Sequence, residues 1–261
     1  MRKSVIISTV MLCFLLVVGC KLKENDDITP IPTNGLIAYF PFNGNANDES
    51  GYKNNGEVIQ GVALTADRKL NKDKAYSFGG FDNVGYIKVN NSENMHLTKT
   101  LSISIWYKLN SYYGMDSYAK ASQNGYHVLI GKEGDRDGFY MAVDNNQAIN
   151  KQNVAFYNKI TFSSNFSILG NPTGTNSENT NKWIHAVTVI DEVNAKLYIN
   201  GTLIQTTLVS PDFSSANAKN LYIGTMMALG TNWYPFNGSI DDIRIYNRSL
   251  SDTEIVALSK E

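Results

Sequence analysis

Along most of the chain, apolar and polar residues alternate over short runs with a period of two rather than 3.6. The clearest run is Thr100 to Leu109. There Leu101, Ile103, Ile105, Tyr107 and Leu109 share one side, and Ser102, Ser104, Trp106 and Lys108 the other. Similar pieces predict strands within residues 35–42, 57–64, 74–78, 85–89, 126–131, 138–143, 154–162 and 221–224. Pro41 marks the first of these as an edge or a bend. Residues 182–190 are apolar on both parities, as a central strand covered on both faces would be, and Trp183 is expected in the core. Residues 196–204 read as a hairpin around Asn200-Gly201, a type I′ turn pair. Residues 110–125 and 163–181 read as long connections. Ser251-Asp-Thr-Glu254 is a capping box ahead of Ile255, Val256 and Leu258, so one short helix should follow the last strand. Many short strands and a single helix define an all-β sandwich.

The run Phe236 to Asn247 closes the strand series. Strict alternation puts Asp241, Ile243 and Ile245 on one face and Asp242, Arg244 and Tyr246 on the other. A carboxylate on the apolar face costs several kcal/mol unless a charge or hydrogen-bond donors meet it. The expected partner is the turn Phe42 to Gly51, dense in Asn, Asp and Gly, which carries Asp48. Asn43, Asn45, Asp48 and Asp241 together offer the carboxylate, amide and carbonyl oxygens that calcium takes. The alternative is an Asx turn bonded to its own backbone, with Asp241 satisfied by nearby amides. On the calcium reading the first and last strands of the sandwich meet here, pinned by a shared cation.

Composition changes this picture at one end only. Residues 2–20 begin with Arg2 and Lys3, continue through an apolar run from Val5 to Val18, and finish in Gly19-Cys20. That run is too short to span a membrane comfortably, and it resembles a bacterial lipoprotein signal, with Cys20 as the acylated residue. The implied division is a signal at 1–19, a polar tether at 20–34 holding Glu24, Asp26, Asp27, Pro30 and Pro32, and one domain at 35–261. Outer-membrane placement through a lipid anchor at Cys20, with the domain facing the cell surface, is the expected location. The chain has only two cysteines, Cys13 and Cys20. The domain therefore has neither disulfides nor thiolate metal sites, and depends on its core. About 240 residues suffice for one large all-β unit. A net charge of −1 with mixed signs leaves no basic stripe for nucleic acid.

Five segments taken together carry a resemblance: Tyr39-Phe-Pro-Phe-Asn-Gly-Asn with Asp48-Glu-Ser-Gly51, Leu101-Ser-Ile-Ser-Ile-Trp106, Lys182-Trp-Ile-His-Ala-Val, Leu197-Tyr-Ile-Asn-Gly201, and Phe236 through Leu250. In this order the chain resembles the laminin-G-like, concanavalin A-like jelly-roll domains of bacterial surface proteins, over roughly residues 35–259. The resemblance implies two antiparallel sheets, one convex and one concave, with neighbouring termini and one short C-terminal helix. It also implies a structural calcium and glycan binding. Glycan recognition needs flat aromatic faces beside hydrogen-bonding groups. Tyr112, Tyr113 and Tyr118 in the first long connection, and Trp233 with Tyr234 before the closing strand, are the aromatic candidates. Asn232, Asp135 and Asp137 are the polar ones. A loop Trp either stacks on a ligand or folds down on its own domain.

Catalysis finds no such support. The paired glutamates of glucanases with this architecture, at Glu-x-Asp-x-x-Glu spacing, have no match, and Asp241 and Asp242 alternate in direction. His96, His127 and His185 show no metal-ligand spacing, His185 reads as structural, and no Gly-x-Ser-x-Gly elbow occurs. The expected function is a non-enzymatic carbohydrate-binding module. The alternatives are an adhesion or assembly protein binding a protein partner, and a degenerate glycoside hydrolase.

Overall fold

The computed structural model describes residues 29–111, 126–134, 137–146, 151–160, 163–170, 179–228 and 230–261. Cys20 and the 1–28 segment, Tyr112, Tyr113, Tyr118 and Asp135 lie outside the described residues. The strands are β1 (Leu36–Phe40), β2 (Gly56–Val58), β3 (Val62–Thr65), β4 (Ala75–Gly79), β5 (Ile87–Val89), β6 (Leu101–Leu109), β7 (His127–Gly134), β8 (Asp137–Asn146) and β9 (Lys151–Ile160). They continue as β10 (Ser163–Gly170), β11 (Trp183–Ile190), β12 (Asn194–Ile199), β13 (Thr202–Leu208), β14 (Leu221–Ile223), β15 (Met226–Ala228), β16 (Thr231–Trp233) and β17 (Asn237–Tyr246). Helix α1 (Asp252–Ser259) follows.

Two antiparallel sheets form the sandwich. One runs β13-β12-β11-β6-β17-β4-β3, with β1 also paired to β17; the other runs β10-β9-β8-β7-β14-β5-β2. A small β15–β16 ribbon makes a third pairing. The alternation read from sequence explains the core directly. Leu101, Ile103, Ile105, Tyr107 and Leu109 of β6 face Phe139, Met141 and Val143 of β8 and Val154 and Phe156 of β9 in one buried cluster. Outside the eight-stranded sheet, α1 buries Ile255 and Leu258 against Val187, Val189, Tyr198 and Tyr246. This is why 182–190 is apolar on both parities. The Ser251–Glu254 capping box forms with both of its bonds, and Asn200 and Gly201 take φ of 48° and 78°, as a type I′ turn requires.

Two expectations are corrected. The 163–181 connection contains β10, whose alternation is confined to Asn165-Phe-Ser-Ile168 within a polar segment and which pairs along β9. Trp183 is half-buried on the outer face, opposite Lys108, whose ammonium sits 5.3 Å from its ring centre.

β17 is the strand through which the chain closes. Along one edge it pairs with β6. Along the other it pairs first with β4, through Asn237 to Ile240, and then with β1, through Ile243 to Tyr246. The first and last strands are thus neighbours, with Tyr39 opposite Arg244 and Phe40 opposite Ile243. Gly238 sits where β4 and β6 both close in, and a Cβ there would run into the Lys108 carbonyl and the Phe236 ring. Gly238→Ala should therefore destabilise the domain by about 1–3 kcal/mol, the usual cost of overpacking, as read in a chemical denaturation midpoint.

Candidate ligand-binding face and the closing-strand corner

The outer face of the seven-stranded sheet carries residues of the parity opposite to the core. Val128, Tyr140, Ala142 and Met226 are buried there beneath half-buried Tyr126, Tyr157, Trp233 and Tyr234. These rings form one contiguous layer. Tyr140 and Tyr157 stack at 4.8 Å between centroids, Tyr126 meets Tyr157 edge-on at 6.0 Å, and Tyr234 lies 5.4 Å from Tyr126 and 6.0 Å from Trp233. The Tyr126 and Tyr157 hydroxyls are 3.2 Å apart. The β15–β16 ribbon holds Trp233 in place. Trp233 pairs with Met226, Thr225 donates to the Trp233 carbonyl at 3.1 Å, and the Val128 amide donates to the Tyr234 carbonyl at 2.9 Å. Tyr234 takes up this placement at a strained φ of 53°.

Of the sequence candidates, the structure brings Asn232, Trp233 and Tyr234 into one ribbon. The Asn232 Oδ1 is buried without a hydrogen-bond partner. Trp233 is folded down, but only halfway. Asp137 begins β8, where its Oδ1 is likewise buried without a partner. Tyr126, Tyr140 and Tyr157 are site residues that sequence reasoning misses. Their only signal is tyrosine at or beside the non-core parity of strands.

A second polar cluster occupies the outer face of the eight-stranded sheet, where β17 changes partner from β4 to β1. A β-bulge falls between Asp241 and Arg244, and Asp242 takes a φ of 44°. The extra residue breaks the alternation, so Asp241 leaves the face of Ile243 and Ile245. Both carboxylates instead meet Arg68, from the loop between β3 and β4. Its Nη1 lies 2.8 Å from Asp241 Oδ2 and 2.6 Å from Asp242 Oδ2. The Arg68 guanidinium stacks on Trp106 at 4.7 Å, and Trp106 stacks on His185 at 5.0 Å. Trp106 is thereby placed under Arg68. His185 is fully buried, its Nε2 is 2.8 Å from Ser104 Oγ, and burial with two nearby arginines pushes its pKa down to about 3. It is a neutral structural histidine. Tyr39 donates to Asp242 at 2.9 Å, and its ring lies 3.9 Å below Arg244, which in turn pairs with Glu261 at 2.7 Å.

Three of the four expected calcium ligands already accept bonds from the chain itself. Asp48 Oδ1 accepts the Tyr39 and Ser50 amides at 2.9 and 2.8 Å, and its Oδ2 accepts the Asn54 amide at 2.8 Å. Asn45 Oδ1 accepts the Asn47 amide at 2.8 Å. Asp241 is taken by Arg68 and by the Asp242 amide, also at 2.8 Å. Asn43 shares a cleft of about 200 Å³ with Asp241, whereas Asn45 and Asp48 do not line it. Among the described residues no group of three His, Cys, Asp or Glu side chains is placed to hold a metal. The cation at this corner is a guanidinium.

With this geometry in place, comparison with known proteins decides the family. A family model described as the concanavalin A-like lectin/glucanases superfamily, of laminin G type, matches residues 81–256. The chain belongs to that superfamily. No curated protein matches it. Among solved structures, domain 4 of a GH43 extracellular arabinanase from Geobacillus stearothermophilus, in complex with arabinotriose, is similar at a TM-score of 0.59 and 20% identity, covering 86% of this chain and 98% of that one. The binding domain of botulinum neurotoxin DC, in complex with rat synaptotagmin II, is similar at 0.63 and 21%, covering 87% and 52%. The binding domain of Paraclostridial Mosquitocidal Protein 1 is similar at 0.66 and 18%, covering 87% and 52%. The chain thus spans about half the length of the toxin domains. At these identities the likeness is one of fold, the two-sheet jelly roll expected from sequence.

The corner generates two expected outcomes. Arg68→Ala leaves two buried carboxylates facing each other and should cost about 3–5 kcal/mol, while a chelator leaves the unmodified protein's melting temperature unchanged. A chelator-induced drop in that temperature would restore the metal. Burial, with Asp242 beside it, pushes the Asp241 carboxyl from 3.8 up to about 7. The folded state therefore holds a proton that the unfolded chain releases, and stability falls as the pH rises from about 4 to about 7. Asp241→Asn should flatten that slope in thermal melts.

Proposed function

We propose that this domain is a non-catalytic carbohydrate-binding module whose ligand lies on the aromatic layer of the seven-stranded sheet. The observation that carries this reading is the half-buried set Tyr126, Tyr157, Trp233 and Tyr234, held by ring contacts and backbone bonds, with the Tyr126 and Tyr157 hydroxyls as polar groups among the rings. Aromatic planes with a polar rim suit the alternating apolar faces and hydroxyl edges of sugar rings. Two proteins of this fold support a glycan ligand: the arabinanase domain, solved with arabinotriose, and botulinum neurotoxin type C, whose cell entry depends on interaction with two ganglioside molecules. In the same proposal, Cys20 carries a lipid that tethers the domain to the outer membrane, facing the cell surface.

A protein partner on the same face is the second reading, favoured by the toxin domain solved with synaptotagmin II. A glycan array and affinity electrophoresis on plant and bacterial polysaccharides, linear arabinan included, separate the two. Carbohydrate binding predicts retention by at least one glycan, weakened at least tenfold in Trp233→Ala, the loss expected when a central aromatic anchor is truncated. Retention of none, with one specific protein co-purifying, would replace this reading by the second. Globomycin-sensitive processing and labelling by an alkyne fatty acid should both disappear in Cys20→Ala; persistence of either removes the anchor.

A further inference from the structure

The outer face of the seven-stranded sheet holds more than the layer around Trp233. In register across the sheet, Tyr157 lies opposite Tyr140, Tyr140 opposite Gly131, Gly131 opposite Tyr222, Tyr222 opposite Lys88, and Lys88 opposite Glu57. Directly paired residues point to the same face, so these form one row perpendicular to the strands. Six strands at about 4.8 Å spacing make it about 24 Å long. At one end stands the Trp233 layer. Beyond Gly131, Tyr222 and Tyr86 form a second aromatic pair, edge to face at 5.8 Å and both half-buried. Gly131 between them is buried and adds no side chain of its own to the row. A Cβ at that position would press within 2.8 Å of the Phe139 carbonyl and of Tyr140 Cβ. The far end carries one cation and one anion, Lys88 and Glu57, so it offers hydrogen bonds without a net charge.

The geometry points to a second subsite at Tyr86 and Tyr222, so that the face takes a linear, uncharged oligosaccharide laid across the strands rather than a terminal sugar alone. This rests on the carbohydrate reading above and adds to it the length, direction and charge of the ligand. A single sugar reaches one aromatic group only; a chain reaches both, separated at Tyr157 and Tyr222 by three strand spacings, about 14.4 Å. The two contacts on one chain reinforce each other, so affinity rises with length until both are engaged and then levels off.

The test is calorimetric titration with linear arabino-, xylo- and cello-oligosaccharides from dimer to octamer. The unmodified protein should bind longer members of one series more tightly, then reach a plateau. Tyr222→Ala and, independently, Tyr86→Ala should bind the shortest detectable member as before and the plateau members about tenfold more weakly, the change given by losing one good contact. Far-UV dichroism and melting checks that each variant is folded, and two separate substitutions guard against one failing to fold. If both variants bind long chains like the unmodified protein while Trp233→Ala does not, the second subsite is overturned and the carbohydrate reading stands. If Trp233→Ala also binds undiminished, or the unmodified protein binds no member of any series, both are overturned.

Discussion

The closure of the sandwich depends on how β17 is accommodated between three partner strands. It runs beside β6 for its whole length, but on its other edge it changes partner midway, from β4 to β1. A change of partner leaves a gap in the ladder, and the bulge at Asp241–Asp242 fills it with two carboxylates instead of backbone pairing. Two buried carboxylates side by side require a cation, a proton on one of them, or both. Arg68 supplies the cation from a loop more than 170 residues away in sequence, and the stack of Arg68, Trp106 and His185 fixes that loop to the sheet. The remaining charges are disposed in the same way, Arg244 reaching Glu261 and Tyr39 donating to Asp242.

This arrangement assigns different tasks to the two outer faces. That of the eight-stranded sheet is largely used up by the charged corner, by α1, and by the chain's entry into the domain. Tyr246 donates to the Pro32 carbonyl at 3.0 Å, and Arg248 Nε donates to the Asn34 carbonyl at 2.7 Å. Among the described residues, the face of the seven-stranded sheet is covered instead by the β15–β16 ribbon and its ring contacts. Its tyrosines and Trp233 are organised around ring contacts and the β15–β16 ribbon, and they stand on the opposite side of the sandwich from residues 31–36. A rigid scaffold that presents half-buried rings away from its own entry segment is well suited to holding a ligand with little loss of side-chain freedom on binding.

Much of the fold was legible because period-two alternation in β6, the doubly apolar run of β11, the Asn200-Gly201 turn and the Ser251 capping box each act locally. The adjacency of β1 and β17 was legible too, from the need of Asp241 for a partner. The identity of that partner was not. Alternation assumes an unbroken pleat, and a bulge with φ of 44° at Asp242 reverses the direction of Asp241. An arginine in a loop carries no local sign of the acid it will meet far along the chain. β10 is hidden because its alternation is confined to Asn165-Phe-Ser-Ile168 within a polar segment, and Trp183 because apolar residues on both parities do not say which face is the core. On the candidate face, Trp233 stands out as a loop tryptophan. Tyr86, Tyr140, Tyr157 and Tyr222 do not, since a strand tyrosine serves equally as core or surface; only the register places three of them on one side, and the contact with Tyr222 adds Tyr86.

On the proposed reading, the ligand is held on the outer face of the seven-stranded sheet. Amide chemical-shift mapping of the labelled domain during titration with the tightest-binding oligosaccharide locates that site. Perturbations should concentrate at Tyr140, Tyr157, Tyr222 and Asn232 to Tyr234, with residues of β17 and the Arg68 loop unmoved. Perturbations centred instead on Arg68, Asp241 and Asp242, with the tyrosine row silent, would contradict that reading.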